Sequence, residues 1–440
     1  MNYLKPLKSL PTHDVDNMPP YMGNQNLWLD DTNLREAVKR EGAEWAEKKL
    51  LDFGALMGKT EMFDHADKAN KNPPELKAFD RYGQRINFID YHPSYHHLLK
   101  TAIENEIPNF AWKNKGKGSQ VAHMALTYIF NQVEGGVMCP MSMTYSVIPS
   151  LKHNKTLEEE WLPRVLSNIY DERDIPANLK KGATIGMFMT EKQGGSDVRT
   201  NSTKAEPIAS STGNGAEYHL TGHKYFCSAP MCDAFLVLAY SVGGLSCFFV
   251  PRWKPDGERN NLFIQRLKDK LGNRSNASSE IELQNTFGIM IGDEGRGIKT
   301  IIDMIIGNRI YCAVSSASLM RQAIVQVLHH TVHRSAFQKK LIDQPLMKNV
   351  IADMILESDA AANLAMRVAR SVDCQEEDDN EKSISRIFTT ISKYWITKRA
   401  PYLIFEALEC HGGPGYIEES IMPRLYREAP LNSIWEGSGN

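Results

Sequence analysis

GMFMTEKQGGSDV, residues Gly186 to Val198, joins an apolar start to a polar turn that carries two hydroxyl side chains, Thr190 and Ser196, and the paired glycines Gly194 and Gly195. Glycine lets a backbone approach a partner that a Cβ would hold off. Such a turn can wrap a ligand, although its composition alone also suits an ordinary helix-free turn. Working outward, the stretch from about Ala183 to Leu283 reads as β structure. SSTGNG at 210–215 is a turn cluster, and the apolar runs Ala234–Ser241 and Leu245–Val250 flank Gly243 and Gly244 as the arms of a hairpin. Upstream, from Asn33 to about Leu151, the apolar spacing is mostly helical, with Leu34, Val38, Trp45, Leu50 and Phe53 about one or two turns apart. Beyond Gly297 the helical period returns: Leu346, Val350, Ile351, Met354, Ile355, Leu364 and Val368 predict one buried stripe on a long helix. Gln375 to Lys382, QEEDDNEK, reads as a solvated loop between helices. The order helical, β-rich, helical leaves a crevice between the β part and helical walls where a flat cofactor can lie.

With 440 residues, 42% of them apolar, the chain has core material for two or three domains. Its 51 basic and 53 acidic residues sum to −2, which excludes a global attraction to nucleic acid or to an anionic membrane surface. Seven scattered cysteines without a CxxC pair indicate neither a disulfide framework nor a zinc site. The first twenty residues lack both an apolar h-region and an arginine-rich amphipathic face. No apolar run approaches the roughly 18 to 20 residues of a membrane span. A cytoplasmic protein is expected, with a mitochondrial location left open.

Five segments carry a more specific message: GMFMTEKQGGSDV, GHKYFCSAPMCDAF (222–235), RSAFQ (334–338) with Gln344 close behind, CHGGPGY (410–416) and IWEGSGN (434–440). In type and order they resemble the signatures of the acyl-CoA dehydrogenase family: (T)EPGAGSD, GxKxWITNxxxAD, RxxFG…Q, FGGxGY and IYEGT. RLKDKLGNRSNASSE, LIDQPLM, PRLYRE and NPPEL at 72–76 are similar to the AidB-like branch of that family, so the resemblance spans nearly the whole chain. It implies an α+β fold with an N-terminal helical domain at 1–182, a β-rich middle domain at 183–292 and a C-terminal helical bundle at 293–440, the last expected to be shorter than in the family.

The resemblance implies FAD as cofactor and assigns roles residue by residue. Met189, Thr190, Gly195 and Ser196 would wrap the isoalloxazine, where positioned donors stabilise the charge gained near N1. Phe226 stands where the family has a tryptophan against the flavin, and Ser228 where it has a threonine near N5. Arg334, Phe337, Gln344, Gly412 and Gly413 would hold the adenosine diphosphate part of an FAD bound mainly to a neighbouring subunit. The protein should therefore form a dimer or tetramer that shares its cofactor sites. Gln338, in place of a glycine, and Glu409, in place of a glutamine, depart from the family pattern. Ser438 and Asn440 complete the implied cofactor set, and Glu436 would be the α-proton base.

The implied reaction is α,β-dehydrogenation of an acyl-CoA thioester, with an electron-transfer flavoprotein as a possible electron acceptor. The alternative is an AidB-like flavoprotein of little turnover that binds acyl-CoA or protects DNA. Duplex DNA binding is expected to be weak, because the basic C-terminal segment that binds DNA in AidB-like relatives lies beyond Asn440. Ala277 and Ser279 stand where short- and medium-chain dehydrogenases often have an aspartate and an arginine, which puts the usual CoA grip in doubt and gives Arg274 no role. His92, His96 and His97 lack the carboxylate pattern of a metal site, so no metal is expected. Lys113, Lys115 and Lys117 read as a solvated basic loop.

Overall fold

The computed structural model describes residues 7–438, apart from the Asp303 side chain. Asn440 lies outside the described residues. The first layer is helical: α1 (Thr32–Arg40), α2 (Glu47–Met57), α3 (Thr60–Lys71), α4 (Pro93–Glu104), α5 (Phe110–Lys113), α6 (Ser119–Asn131), α7 (Met138–Ser146), α8 (Ile148–Leu151) and α9 (Lys155–Val165). Almost every residue of α6 is buried, which makes it the axis of this layer. The helical spacing hides one exception. Between α3 and α4 the chain forms a hairpin, β1 (Glu75–Phe79) with β2 (Arg85–Asp90). Its anchor is long-range: Asn87 accepts a hydrogen bond from the Ile264 amide at 3.2 Å, and Arg85 Nη2 donates to the Ile264 carbonyl at 2.5 Å.

The middle part is a seven-stranded sheet of β3 (Ile185–Phe188), β4 (Lys204–Pro207), β5 (Glu217–Ser228), β6 (Ala234–Ser241), β7 (Gly244–Pro251), β8 (Leu262–Leu267) and β9 (Ser278–Ile291). β6 and β7 are the hairpin read from the sequence, with Ala234 opposite Pro251 and Ser241 opposite Gly244. β7 pairs with β9 as well as β6, so the run β6–β4–β5–β9–β7 closes into a barrel, with β3 beside β6 and β8 beside β9. Between the pairs Lys224–Ile281 and Cys227–Ser279, β5 holds one residue more than β9. Such a bulge re-aims the residues beyond it. Lys224 and Cys227 are both buried, while Phe226 faces out.

The last layer is built on three long helices, α10 (Gly297–His333), α11 (Pro345–Cys374) and α12 (Asp379–His411), with a two-residue hairpin, β10 (Ser335–Ala336) and β11 (Lys339–Lys340), between the first two. The short helices α13 (Gly413–Tyr416), α14 (Met422–Glu428) and α15 (Leu431–Ile434) follow. The stripe expected on α11 is present but displaced. Leu346 is 76% exposed, whereas Ser358, Ala361, Ala362, Ala365 and Ala369 are buried with Ile351, Met354 and Val368. Small side chains let the long helices pack closely, so the contact face is marked by alanine rather than by bulk. The charge run at 375–382 is a loop only to Asp378. Asp378 caps α12 by accepting from the Asn380 and Glu381 amides, and Asp379 and Glu381 suit the positive end of the helix dipole.

Candidate functional site

The Thr190–Thr203 loop is organised by a side chain with no surface of its own. Glu191 is buried, and its carboxylate accepts from the Ser202 amide (2.7 Å), the Thr203 hydroxyl (2.6 Å) and the ammonium of Lys224 (2.8 Å), which reaches in from β5. Burial alone would raise the Glu191 pKa, but Lys224 and these hydrogen bonds pull it down to about 2. Asn201 Nδ2 holds the Met189 carbonyl at 2.9 Å. The two glycines serve different ends. A Cβ on Gly194 would lie 2.2 Å from Thr200 Oγ1, so this residue permits the loop's own packing, whereas a Cβ on Gly195 would meet nothing within 4 Å.

Gly195 borders a cavity of about 650 Å3 between the barrel, α7, α10 and the end of the chain. Met189, Thr190, Ser196, Phe226, Ser228, Glu436 and Ser438 also line it. Its helical wall is largely apolar, with Ile298, Ile302 and Ile305 on α10 and Met138 and Met143 on α7. Thr190 Oγ1 and Glu436 Oε2 are buried in it without a hydrogen-bond partner. An unsatisfied buried polar atom is costly, and Asn308 adds two more in the same lining, which is what a site that takes a polar ligand would show. Glu436 belongs to a braced turn. Arg309 Nε donates to its carbonyl at 2.9 Å, and Lys393 Nζ donates to the carbonyls on either side, Trp435 at 2.9 Å and Gly437 at 2.5 Å. These bonds hold Glu436 at φ +56, in the left-handed region that a glutamate rarely adopts. Burial pushes the carboxyl up to about 7, against the downward pull of Lys393, Arg309 and Asn308. Ile434 is largely exposed at the rim, and Trp435 lines the cavity beside it with Nε1 bonded to Asn432.

The remaining sequence-predicted cofactor residues are elsewhere. Arg334, Phe337 and Gln344 sit just past the C-terminal end of α10, where Gln344 Nε2 holds the Ala336 carbonyl at 3.0 Å. Gly412 and Gly413 end α12 nearby, joined to this corner through the rings of His330 and His411, 4.7 Å apart. A Cβ on either glycine would meet nothing within 4 Å, and Phe337 is 93% exposed. Arg334 lies 25 residues beyond Arg309, roughly 38 Å along a helix that rises 1.5 Å per residue. The sequence-predicted residues therefore fall into two groups, one at the cavity and one at the far end of α10, and Arg334, Phe337, Gln344, Gly412 and Gly413 are not among the cavity's lining residues.

Comparison with known proteins follows the same three-part division. Residues 17–172 match the model of the adaptive response protein AidB N-terminal domain, residues 186–286 that of the acyl-CoA dehydrogenase middle domain, and residues 295–440 that of its C-terminal domain. AidB of Escherichia coli (strain K12) is 44% identical over 431 residues, 98% of this chain and 79% of AidB. The chain belongs to the acyl-CoA dehydrogenase family. It is of the AidB-like kind, and members of this family are FAD flavoproteins. Acyl-CoA dehydrogenase family member 11 of Caenorhabditis elegans is 30% identical over 93% of this chain and 67% of its own length. The structure of Caenorhabditis elegans ACDH-11 in complex with C11-CoA superposes with a TM-score of 0.89 at 27% identity, covering 99% of this chain and 74% of that one.

Within this acyl-CoA dehydrogenase frame, several cavity residues escaped the motifs. Asn308 and Arg309 on α10 line the cavity outside every motif, and Lys393 on α12, which is not in the lining, reaches the Glu436 turn from outside the motifs too. Lys270, also in the cavity wall, has its ammonium depressed by burial to about 8. Arg274 is exposed, and Ala277 and Ser279 are buried under β5, with Ser279 Oγ donating to the Cys227 carbonyl at 3.1 Å. His92 caps α4, His96 bonds the Tyr170 hydroxyl at 2.6 Å, and Lys113 bonds Glu106 at 2.9 Å. Among the described residues no helix is long and apolar enough to cross a membrane.

Proposed function

We propose that this chain binds FAD and catalyses α,β-dehydrogenation of an acyl-CoA thioester, with Glu436 as the base. The observation that carries this is the Glu436 carboxyl: braced from both flanks, with a buried unpartnered oxygen, in the same cavity as Thr190, Phe226 and Ser228. The residues present fit a flavin. Thr190 offers an orphaned hydroxyl, Gly195 leaves the loop edge open, and the bulge in β5 turns the Phe226 ring and the Ser228 hydroxyl into the cavity. Bound there, the flavin supplies the acceptor for the β-hydride. The chain supplies the rest. The apolar walls exclude water, the raised pKa of Glu436 brings the base close to neutral pH, and the fixed turn aims its carboxylate at the α-proton. An acyl-CoA ligand is further supported by the C11-CoA complex of the Caenorhabditis elegans relative.

The second group of residues implies a partner. Arg334, with Phe337, Gln344, Gly412 and Gly413, would hold the pyrophosphate end of an FAD whose flavin lies in a neighbouring copy, since a guanidinium fork suits phosphate oxygens. Anaerobic addition of acyl-CoAs of graded length to purified protein tests the whole reading. A flavin spectrum that bleaches with one of them is expected. In Glu436→Gln the bound flavin should remain while bleaching slows by on the order of a hundredfold or more. Flavin that binds but bleaches with no acyl-CoA would favour the alternative, a binding protein of low turnover. Folded protein that takes up no FAD would overturn both.

A further inference from the structure

One polar side chain in the cavity belongs neither to the expected cofactor set nor to the brace. Asn308, on the face of α10 that lines the cavity, is 3% exposed, yet neither its Nδ2 nor its Oδ1 completes a hydrogen bond. The cavity-lining residues three before and four after it on α10 are Ile305 and Cys312, and neither offers an amide a strong partner. Its next residue in sequence, Arg309, holds the Glu436 carbonyl, and the Asn308 amide is close enough to the Glu436 carboxyl to favour its ionised form. An amide has two donors and an acceptor. Glu436, once ionised, can serve only a donor. The acceptor Oδ1 then still lacks a partner, and a buried acceptor left unpaired is destabilising.

We propose that Asn308 reads the acyl group of the substrate, and that the preferred substrate is an acyl-CoA carrying a neutral hydrogen-bond donor, a hydroxyl, on the carbon beyond the reacting pair. This rests on the dehydrogenase reading, in which Glu436 faces the α carbon. A group beside Glu436 on the same wall then faces the next few carbons of the chain. A hydroxyl can donate to Oδ1 and accept from Nδ2, so it satisfies both ends of the amide. A carboxylate cannot donate, and it would bring a second negative charge next to Glu436. A plain alkyl chain satisfies neither end. At the β carbon a hydroxyl would change the hydride donor itself, which places the group on the γ carbon.

The test uses the FAD-loaded protein and the probes 4-hydroxybutyryl-CoA, butyryl-CoA and succinyl-CoA, with binding read by displacement of the flavin absorbance bands and turnover by the rate of anaerobic bleaching. The hydroxyacyl thioester should bind about tenfold more tightly than butyryl-CoA, the worth of roughly one net hydrogen bond, and succinyl-CoA should bind most weakly. In Asn308→Leu, which keeps the volume and removes the amide, the ratio of hydroxyacyl-CoA to butyryl-CoA affinity should fall to about one, whatever happens to butyryl-CoA binding itself. Equal binding of the hydroxy and plain thioesters by the unaltered protein overturns the assignment while leaving the dehydrogenase reading intact, as does a preference that survives Asn308→Leu. Failure of every thioester to bind overturns both. The comparison within the unaltered protein decides the matter even where the variant folds poorly.

Discussion

At the scale of the residue, the site depends on how a carboxyl is held between opposing influences. Burial raises the Glu436 pKa, and the cations that brace its turn lower it, with a balance near 7. Lys393 acts on both counts, because its ammonium holds the Trp435 and Gly437 carbonyls and also stabilises the charged carboxylate. Arg309 holds the carbonyl between them, and a Cβ on Gly437 would lie 3.0 Å from its Nη2, so glycine is what lets the guanidinium close on the turn. On the proposal that Glu436 is the base, it works when ionised, so flavin reduction should accelerate as pH rises through about 7. Lys393→Met removes a charge that favours the ionised form, so the pKa must move up and the pH–rate profile must shift to the alkaline side. It also frees the turn from its left-handed φ, and a misplaced base typically costs about a hundredfold in rate. Stopped-flow reduction across pH 6 to 9 separates the two effects. A slower rate with an unshifted profile would mean that Lys393 is only structural, and an unchanged rate would remove it from the site.

At the scale of the element, a loop and a strand are tied together by one ion pair. Glu191 and Lys224 have fully buried side chains, 2.8 Å apart. Removing one partner of such a pair strands the other charge away from water, at a cost of about 3–5 kcal/mol. Lys224→Met should therefore lower the denaturation midpoint sharply, and because Glu191 also gathers the Ser202 and Thr203 groups, FAD affinity should fall with it. Denaturant unfolding with and without excess FAD checks this. A variant as stable as the parent would show that the pair is replaceable by packing. The motifs TEKQGGSD and GHKYF marked these elements, but this bond between them was not legible, since nothing in local spacing says that a glutamate will be buried or which lysine will meet it. The β6–β7 hairpin was legible because two continuous apolar runs meet at a pair of glycines. The β1–β2 hairpin was not, because Asn87 and Arg85 are fixed by Ile264, far away in sequence. On α11 the periodicity located the helix, but the alanines of its contact face carry too little hydropathy to show which side is buried. The IWEGSGN segment pointed to Glu436, which lines the cavity, whereas its supports Arg309 and Lys393 lie outside every motif segment.

At the scale of the whole molecule, the proposed sharing of each FAD site between two copies would make cofactor binding and association a single equilibrium. α12 shows a continuous exposed stripe of Ile387, Ile391, Tyr394, Tyr402 and Phe405, spaced three or four residues apart or at multiples of that, so they share one face. A helix face with several exposed apolar side chains suits a protein–protein contact. A symmetric pairing through that face would repeat the same contact on both copies. If the Arg334 corner of one copy completes the FAD site of the other, only the associated form binds the cofactor fully, and whatever binds one form preferentially stabilises it. Linkage is reciprocal, so dilution should release FAD and added FAD should hold the oligomer together. Two variants at separate places then converge on one outcome. Tyr402→Glu, on the helix face, should weaken association and thereby FAD retention, although the residue touches no cofactor. Arg334→Ala, at the corner, should weaken FAD retention and make the oligomer dissociate at a higher protein concentration. Analytical ultracentrifugation, followed at a flavin wavelength and at 280 nm across a dilution series with and without free FAD, reads both quantities together. A monomer that keeps one FAD per chain at every concentration would break the link and place the whole cofactor within a single copy.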